Sequence, residues 1–223
     1  MKLQFLGHSA FYFEAEGIKG IIDPFIPNPL ENPLFNKKDL THIFVTHGHG
    51  DHLGDTINIS KESGAQVICN FEIAQYLSKY DIECHAMHIG GRATLDFGKV
   101  KMTPALHGSG IITKDEIIYG GSPCGFVIDV AGKKLYHAGD TGLTMDMQLL
   151  SKENIDVALI PIGGNFTMDI EDAIEAVKFI RPKVTIPMHY NTFPIISAEP
   201  LNFKEKVANS EVKLLEAGDV FEF

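Results

Sequence analysis

A chain of 223 residues is long enough to bury one large core, and 44% hydrophobic with 22% charged residues excludes a disordered or fibrous protein. No apolar run nears the roughly 18 residues needed to cross a bilayer, and Met1-Lys2-Leu3-Gln4-Phe5 enters an alternating strand rather than a signal-peptide core, so a cytoplasmic protein without a membrane partner is expected. A formal net charge of −10 opposes long-range attraction to a polyanion, and no extended nucleic-acid surface is expected.

The chain opens with three strand-like stretches, Leu3–Leu6, Ala10–Phe13 and Ile18–Ile22, which suggest an antiparallel meander ending at Asp23-Pro24. Pro24, Pro27, Pro29 and Pro33 follow in what reads as one ordered loop, long enough to overhang a site. His42–Val45 is a short apolar run consistent with a buried strand, and the His/Asp-rich segment after it opens into a helix near Ile57–Ser63. Strands are predicted at Gln66–Cys69, Glu83–His88, Lys99–Ala105, Phe126–Val130 and Lys134–His137, with a helix at Phe71–Lys79 and a hairpin turn at Gly132-Lys133.

The last third alternates: strand Val157–Pro161, helix Asp169–Ile180, strand Val184–Met188, helix Glu199–Ala208, strand Val212–Leu215. In the first of these helices Ile170, Ala173, Ile174, Val177 and Ile180 share a core-facing stripe, with Thr167 or Asp169 as cap. No composition break divides the chain, so one α/β domain over residues 1–223 is expected, layered as two sheets with helices outside, with a single mixed sheet as the alternative. Cys69, Cys84 and Cys124 are widely spaced, lack a C-x-x-C pair and read as buried free thiols.

Ten histidines are many for this length, and their placement carries the chemistry. In His47-x-His49-x-Asp51-His52 three imidazoles and a carboxylate lie within six residues of a Gly-containing loop. Alternate residues of an extended segment share a face, so His47 and His49 can meet one ion while a turn at Gly50 redirects Asp51 and His52 toward another. The bland alternative is a helix-start loop with capping carboxylates. Imidazole and carboxylate without thiolate suit Zn²⁺, Mn²⁺ or Fe²⁺, with zinc the first choice. A catalytic zinc takes about three protein ligands and leaves a place for water, so two sites need donors from elsewhere. His107, Asp140 and His189 each follow a predicted strand beside small or turn-forming residues and are the candidates.

These residues, in this order, resemble the metallo-β-lactamase superfamily, and the resemblance covers nearly the whole chain. It implies a four-layer αβ/βα sandwich of two mixed sheets with two divalent metal ions at the sheet edges. It further implies that His47, His49 and His107 bind one ion, that Asp51, His52 and His189 bind the other, and that Asp140 bridges them. A metal-bridged hydroxide would be the nucleophile, with Asp51 also managing the leaving group's proton. Branches with cysteine at the position of Asp140 tend toward β-lactam hydrolysis, which is therefore not expected. Gly7-His8-Ser9-Ala10, Ile21-Ile22-Asp23-Pro24 and Gly163-Gly164-Asn165-Phe166-Thr167-Met168-Asp169 look like a small branch of prokaryotic metal-dependent hydrolases, with ascorbate-phosphate lactonases as similar relatives.

His8 is either a substrate contact or a loop hydrogen bond, with equal weight. Asp23 is either a carboxylate orienting a ligand histidine or simply an Asp-Pro turn, with a slight lean to the turn. His42, His85, His88 and His137 sit in or beside strands and read as structural. Gly163-Gly164-Asn165 offers backbone N–H groups to an anion or makes a tight strand-to-helix turn.

The leading functional expectation is hydrolysis of an ester, lactone or phosphoester in a small molecule. A phosphodiesterase or nuclease acting on nucleic acid is the alternative, opposed by the absence of a basic, aromatic-interleaved segment. A non-hydrolytic metal sensor or redox scaffold ranks third. A homo-oligomer is an open expectation.

Overall fold

The computed structural model describes residues 1–28, 33, 34 and 36–223. Pro29 of the expected Pro-rich loop, with Leu30–Asn32, lies outside the described residues. In chain order the elements are β1 (Lys2–Gly7), β2 (Ala10–Ala15), β3 (Ile18–Ile22), β4 (His42–Phe44), α1 (Gly50–Leu53), α2 (Thr56–Ser63), β5 (Gln66–Asn70), α3 (Phe71–Ser78) and β6 (Cys84–Met87). They continue as β7 (Arg92–Leu95), β8 (Gly98–Pro104), β9 (Gly110–Ile112), β10 (Ile117–Tyr119), β11 (Cys124–Val130), β12 (Lys133–His137), β13 (Val157–Pro161) and α4 (Ile170–Ile180). The chain ends with β14 (Val184–Met188), α5 (Pro200–Lys206), β15 (Glu211–Val212) and β16 (Val220–Glu222).

Two seven-stranded mixed sheets result, in the orders β16-β1-β2-β3-β4-β5-β6 and β15-β14-β13-β12-β11-β8-β7, with β9 and β10 as a separate ribbon. The single-sheet alternative is thereby excluded. Each sheet joins an antiparallel meander to a parallel run: β1-β2-β3 then β3-β4-β5-β6, and β8-β11-β12 then β12-β13-β14-β15.

The period-2 geometry of a strand explains why the first sheet is apolar on both faces. Phe11, Phe13, Ile22, Phe44 and Ile68 point into the core between the sheets, where they meet Phe126, Ile128 and Leu135. Their neighbours Ala10, Tyr12, Ile21, Ile43 and Val67 point outward and are covered by Ile59 of α2 and by Ile73 and Leu77 of α3. On the other side Ala173, Val177 and Ile180 of α4 and Phe203 of α5 close the second sheet. Burial of Val177, Ile180 and Phe203 contributes roughly 1.5–3 kcal/mol each, and the smaller Ala173 less. Asp169 rather than Thr167 caps α4, accepting from Asp172 N at 3.0 Å.

Local differences from the sequence reading have local causes. The β11–β12 turn falls at Ala131-Gly132, one residue early, because a two-residue hairpin of this hand needs positive φ at both positions, here 51° and 80°. The last predicted strand shrinks to Glu211–Val212, since Leu214 and Leu215 pack on the core from the segment leading to β16. Among the described residues no helix is long and apolar enough to cross a membrane.

Cys69 and Cys124 are fully buried free thiols, but Cys84 is only partly buried, which corrects that part of the expectation. A hydrogen bond from the Cys69 thiol lowers the Cys84 pKa, whereas burial raises that of Cys124 well above its ordinary value. Iodoacetamide on the folded protein should therefore label Cys84 alone, read by peptide mass spectrometry. Equally fast labelling of Cys124 would mean that the core between the sheets opens under native conditions.

Candidate metal centre

Parallel strands put their C-terminal ends on one edge, and the crevice outside those ends is where an open α/β sheet gathers functional loops. Three of the candidate segments leave such strands: His47–His52 follows β4, Asp140 follows β12 and His189 follows β14. His107 arrives on the loop after antiparallel β8. The structure brings all seven candidates together, together with His8 and Asp23.

His47 Nε2 lies 3.0 Å from His49 Nδ1, which lies 3.2 Å from His107 Nε2. Asp140 sits between this trio and the other half of the site: its Oδ2 is 3.5 Å from His107 Nε2, 4.0 Å from His47 Nε2 and 2.9 Å from His189 Nε2. His52 Nε2 is 3.2 Å from Asp140 Oδ1, yet the two are out of hydrogen-bonding line. Donor atoms within 4.8 Å of one another form three sets: His47, His49 and His107; His47, His52 and Asp140; His8, Asp51, His52 and His189.

Groups behind the donors fix their tautomers. The Thr46 hydroxyl donates to Asp23 Oδ2 at 2.7 Å, so its oxygen accepts from His47 Nδ1 at 2.9 Å and leaves His47 Nε2 bare toward the centre. His52 Nδ1 donates to the same Asp23 Oδ2 at 2.7 Å, and Thr46 N donates to Asp23 Oδ1 at 2.8 Å. Asp23 is fully buried and orients His52 directly and His47 through Thr46. These hydrogen bonds are those the orienting alternative requires, and Asp23 also takes a turn-like φ of 46°.

His8 makes no purely local contact. Its Nε2 donates to Asp51 Oδ2 at 3.2 Å, because a carboxylate only accepts, and its Nδ1 accepts from the Thr192 hydroxyl at 3.0 Å. His8, Asp23 and His189 all have φ near +50°, a conformation costly for non-glycine residues that persists where surrounding contacts enforce it. One such contact is His189 N to His8 O at 2.9 Å.

The remaining supports are structural. His137, fully buried, donates Nε2–H to Ser9 O at 2.9 Å and accepts Gly139 N at 3.1 Å, tying the His8 loop to the Asp140 loop. Gly139 has φ +64°, and a Cβ there would lie 2.3 Å from Cys124 O. The Ser109 hydroxyl accepts Gly48 N at 3.0 Å and donates to Gly120 O at 2.8 Å, pinning the His107 loop to the histidine loop. The Gly163-Gly164-Asn165 segment is a turn, with the N–H groups of Gly164, Phe166 and Thr167 engaged within it. Thr46, Ser109 and Thr192 escaped the sequence reading; only Thr46 carried a signal, its place directly before His47.

Burial pushes His47 well below its ordinary pKa, with the His52 imidazole adding to the effect, and burial also lowers His49 and His107. Burial works against charge on His52 and Asp140 too, but they hold each other charged: His52, beside Asp140 and Asp23, is raised well above its ordinary value, and Asp140 is held well below its own. Asp51 is opposed by burial but lowered to about 2 by the His8 hydrogen bond and the His52 charge.

The residues fit divalent metal. Among the described residues His52 Nε2, Asp140 Oδ1 and His189 Nδ1 are buried without a hydrogen-bond partner, an anomaly that a bound ion at the centre would relieve for the first two. The imidazole nitrogens of His47, His49 and His107 crowd within 3.0–3.2 Å of His49 Nδ1, and all three can donate lone pairs to a cation. The set contains nitrogen and carboxylate oxygen without thiolate.

In metal-free protein the acid side should be destabilising. His8, His42, His47, His49, His107 and His137 all have folded pKa values below 6.5. The unfolded chain takes up these protons first, so stability is lost as pH falls through 6.5. His52 works in the opposite sense, but its contribution is complete once pH is below 6.5. The Tm of chelator-treated protein should fall between pH 7.5 and 5.5, and a flat or rising Tm would show that these imidazoles are already charged in the fold.

A family model described as the beta-lactamase superfamily domain matches residues 20–190, a span that holds all seven candidate ligands. The chain belongs to that superfamily. Within the family it is 63% identical, over all 223 residues and the whole of the relative, to a UPF0173 metal-dependent hydrolase of Alkaliphilus metalliredigens. The solved structure of Igni18, described as a novel metallo hydrolase from Ignicoccus hospitalis, is 41% identical with a TM-score of 0.88, covering 100% of this chain and 98% of that one. The metallo-beta-lactamase fold protein YhfI of Bacillus subtilis is 14% identical with a TM-score of 0.74, covering 99% of each chain, and agrees in fold.

Proposed function

We propose that this protein is a hydrolase with two divalent metal ions that cleaves an ester, lactone or phosphoester bond in a small molecule. The observation that carries the reading is the position of Asp140, whose carboxylate lies within 4.0 Å of ligand-type nitrogens of His47, His52, His107 and His189 and so faces both halves of the donor set. The metal-dependent hydrolase names of full-length relatives support the reaction class.

His47, His49 and His107 would hold one ion, Asp51, His52 and His189 the other, and Asp140 both. When bound, such ions polarise a substrate oxygen and lower the pKa of water toward neutrality. The chain's residues do the rest. Asp23 keeps His47 and His52 in the tautomers that aim Nε2 inward, and Asp140 keeps negative charge between the sites. Asp51, with 30% of its side chain exposed, stands at the open side and is ionised at neutral pH, so it can take and return the leaving group's proton. Zinc is the first choice by donor type, and manganese and iron fit the same set. The net charge of −10 supports a small molecule over nucleic acid.

Metal analysis of the purified protein should give about two equivalents. Hydrolysis of aryl esters and lactones should vanish on chelation and return on adding metal. Fewer than half an equivalent, unchanged by added metal, would remove the basis of the proposal.

A further inference from the structure

A cleft of about 680 Å³ lies between the loop after β3, the loop after β14 and the segment before β16. That volume falls within the roughly 300–1,000 Å³ of small-molecule sites. Its walls carry Phe25, Pro27, Tyr190, Phe193 and Leu215, and His8 lies at its floor. The Phe25 and Phe193 rings stand edge-on to the His8 imidazole at centroid distances of 5.7 and 5.5 Å. The other side of the same imidazole holds Asp51 at 3.2 Å, so the floor of the cleft belongs to the donor set that His8 shares with Asp51, His52 and His189.

We propose that this cleft receives an uncharged, ring-sized apolar part of the substrate, which makes the preferred substrate a neutral ester or lactone rather than a phosphoester. The inference rests on the hydrolase reading above. Charge decides the class. Among the described residues lining the cleft the only charged one is Glu216, and none is Lys or Arg. A phosphate or carboxylate tail would lose water there, meet a like charge and find no cationic donor in return. An apolar ring instead gains by leaving water and meets aromatic faces and edges.

Phe193 is 41% exposed, leaving an aromatic surface at the mouth for a ligand to cover. The wall is also pre-formed. Asn191 donates to Ala198 O at 3.0 Å and accepts from Ala198 N at 2.9 Å, and its backbone N–H donates to Ile196 O at 3.0 Å. Little ordering of the loop is left for binding to supply.

The test uses full-length zinc-loaded protein of measured metal content and three probes with one chelating head: acetohydroxamate, phenylacetohydroxamate and phosphonoacetohydroxamate. Calorimetry should show the phenyl probe at least about tenfold tighter than acetohydroxamate, the gain expected from burying a ring. Phe193→Ala should remove most of that gain and leave acetohydroxamate unchanged; Leu215→Ala is a second variant should the first fold poorly. The phosphono probe should gain nothing. Equal affinity for the phenyl and methyl probes, a gain that survives both substitutions, or tightest binding of the phosphono probe at full metal content would overturn this inference and leave the hydrolase reading standing. Metal content below half an equivalent with no hydroxamate bound would overturn both.

Discussion

Asp140→Ala should lower metal content from about two equivalents to less than one and reduce turnover by about 10³-fold or more, since charge stabilisation worth several kcal/mol is lost with the ions. The expectation follows from geometry. Asp140 is the carboxylate that faces His107 and His47 on one side and His52 and His189 on the other, at 2.9 to 4.0 Å. Without it, the His47, His49 and His107 set has no anionic donor, the other set keeps only Asp51, and no carboxylate joins the two. The substitution should also act on the metal-free protein, where the Asp140 carboxylate helps to hold His52 charged against burial. Metal analysis beside thermal unfolding of the metal-free forms separates the two effects. Two equivalents retained in Asp140→Ala would mean that the ions do not share this carboxylate.

Asp23→Asn is expected to do damage from one layer further out. Three donors converge on the Asp23 carboxylate: Thr46 N at 2.8 Å, and Thr46 Oγ1 and His52 Nδ1 at 2.7 Å each. An amide presents one accepting oxygen and one NH₂ group, so at least one donor must face another donor in a fully buried place. That mismatch should cost about 1–3 kcal/mol of stability. Because His52 and, through Thr46, His47 lose their fixed tautomers, metal affinity should drop roughly 10- to 100-fold. The two histidines belong to different halves of the centre, so titration of metal-free protein should show both equivalents weakened. Loss confined to one equivalent would mean that the Thr46 relay does not orient His47.

Much of this was legible in the chain because the relevant signals are local. The run His47 to His52 holds four donors within six residues, and no tertiary information is needed to see that they must converge. Phe11, Phe13, Ile22 and Phe44 lie in apolar runs whose period of two fixes strand and facing at once. The α4 stripe and its Asp169 cap were readable for the same reason, since i to i+3 relations are set by the helix itself.

The sequence could nominate His107, Asp140 and His189 only as polar residues after strands; independent of any resemblance, a surface position was the simpler reading of each. Their convergence was decided by sheet order, which places the ends of β4, β8, β12 and β14 along one rim although 142 positions separate the first donor, His47, from the last, His189. Asp23 looked like a turn because its partners Thr46 and His52 are 23 and 29 residues away. His8 gained its meaning from Thr192, which is 184 residues distant. Short edge strands such as β7, β10 and β16 were unreadable, since three or four residues carry too little periodicity and their strand form comes from the neighbour they pair with. Local chemistry and period were therefore set by the sequence alone. Which distant side chains share a proton, a charge or an ion was set by tertiary packing, because those interactions act over a few ångströms of space and take no account of distance along the chain.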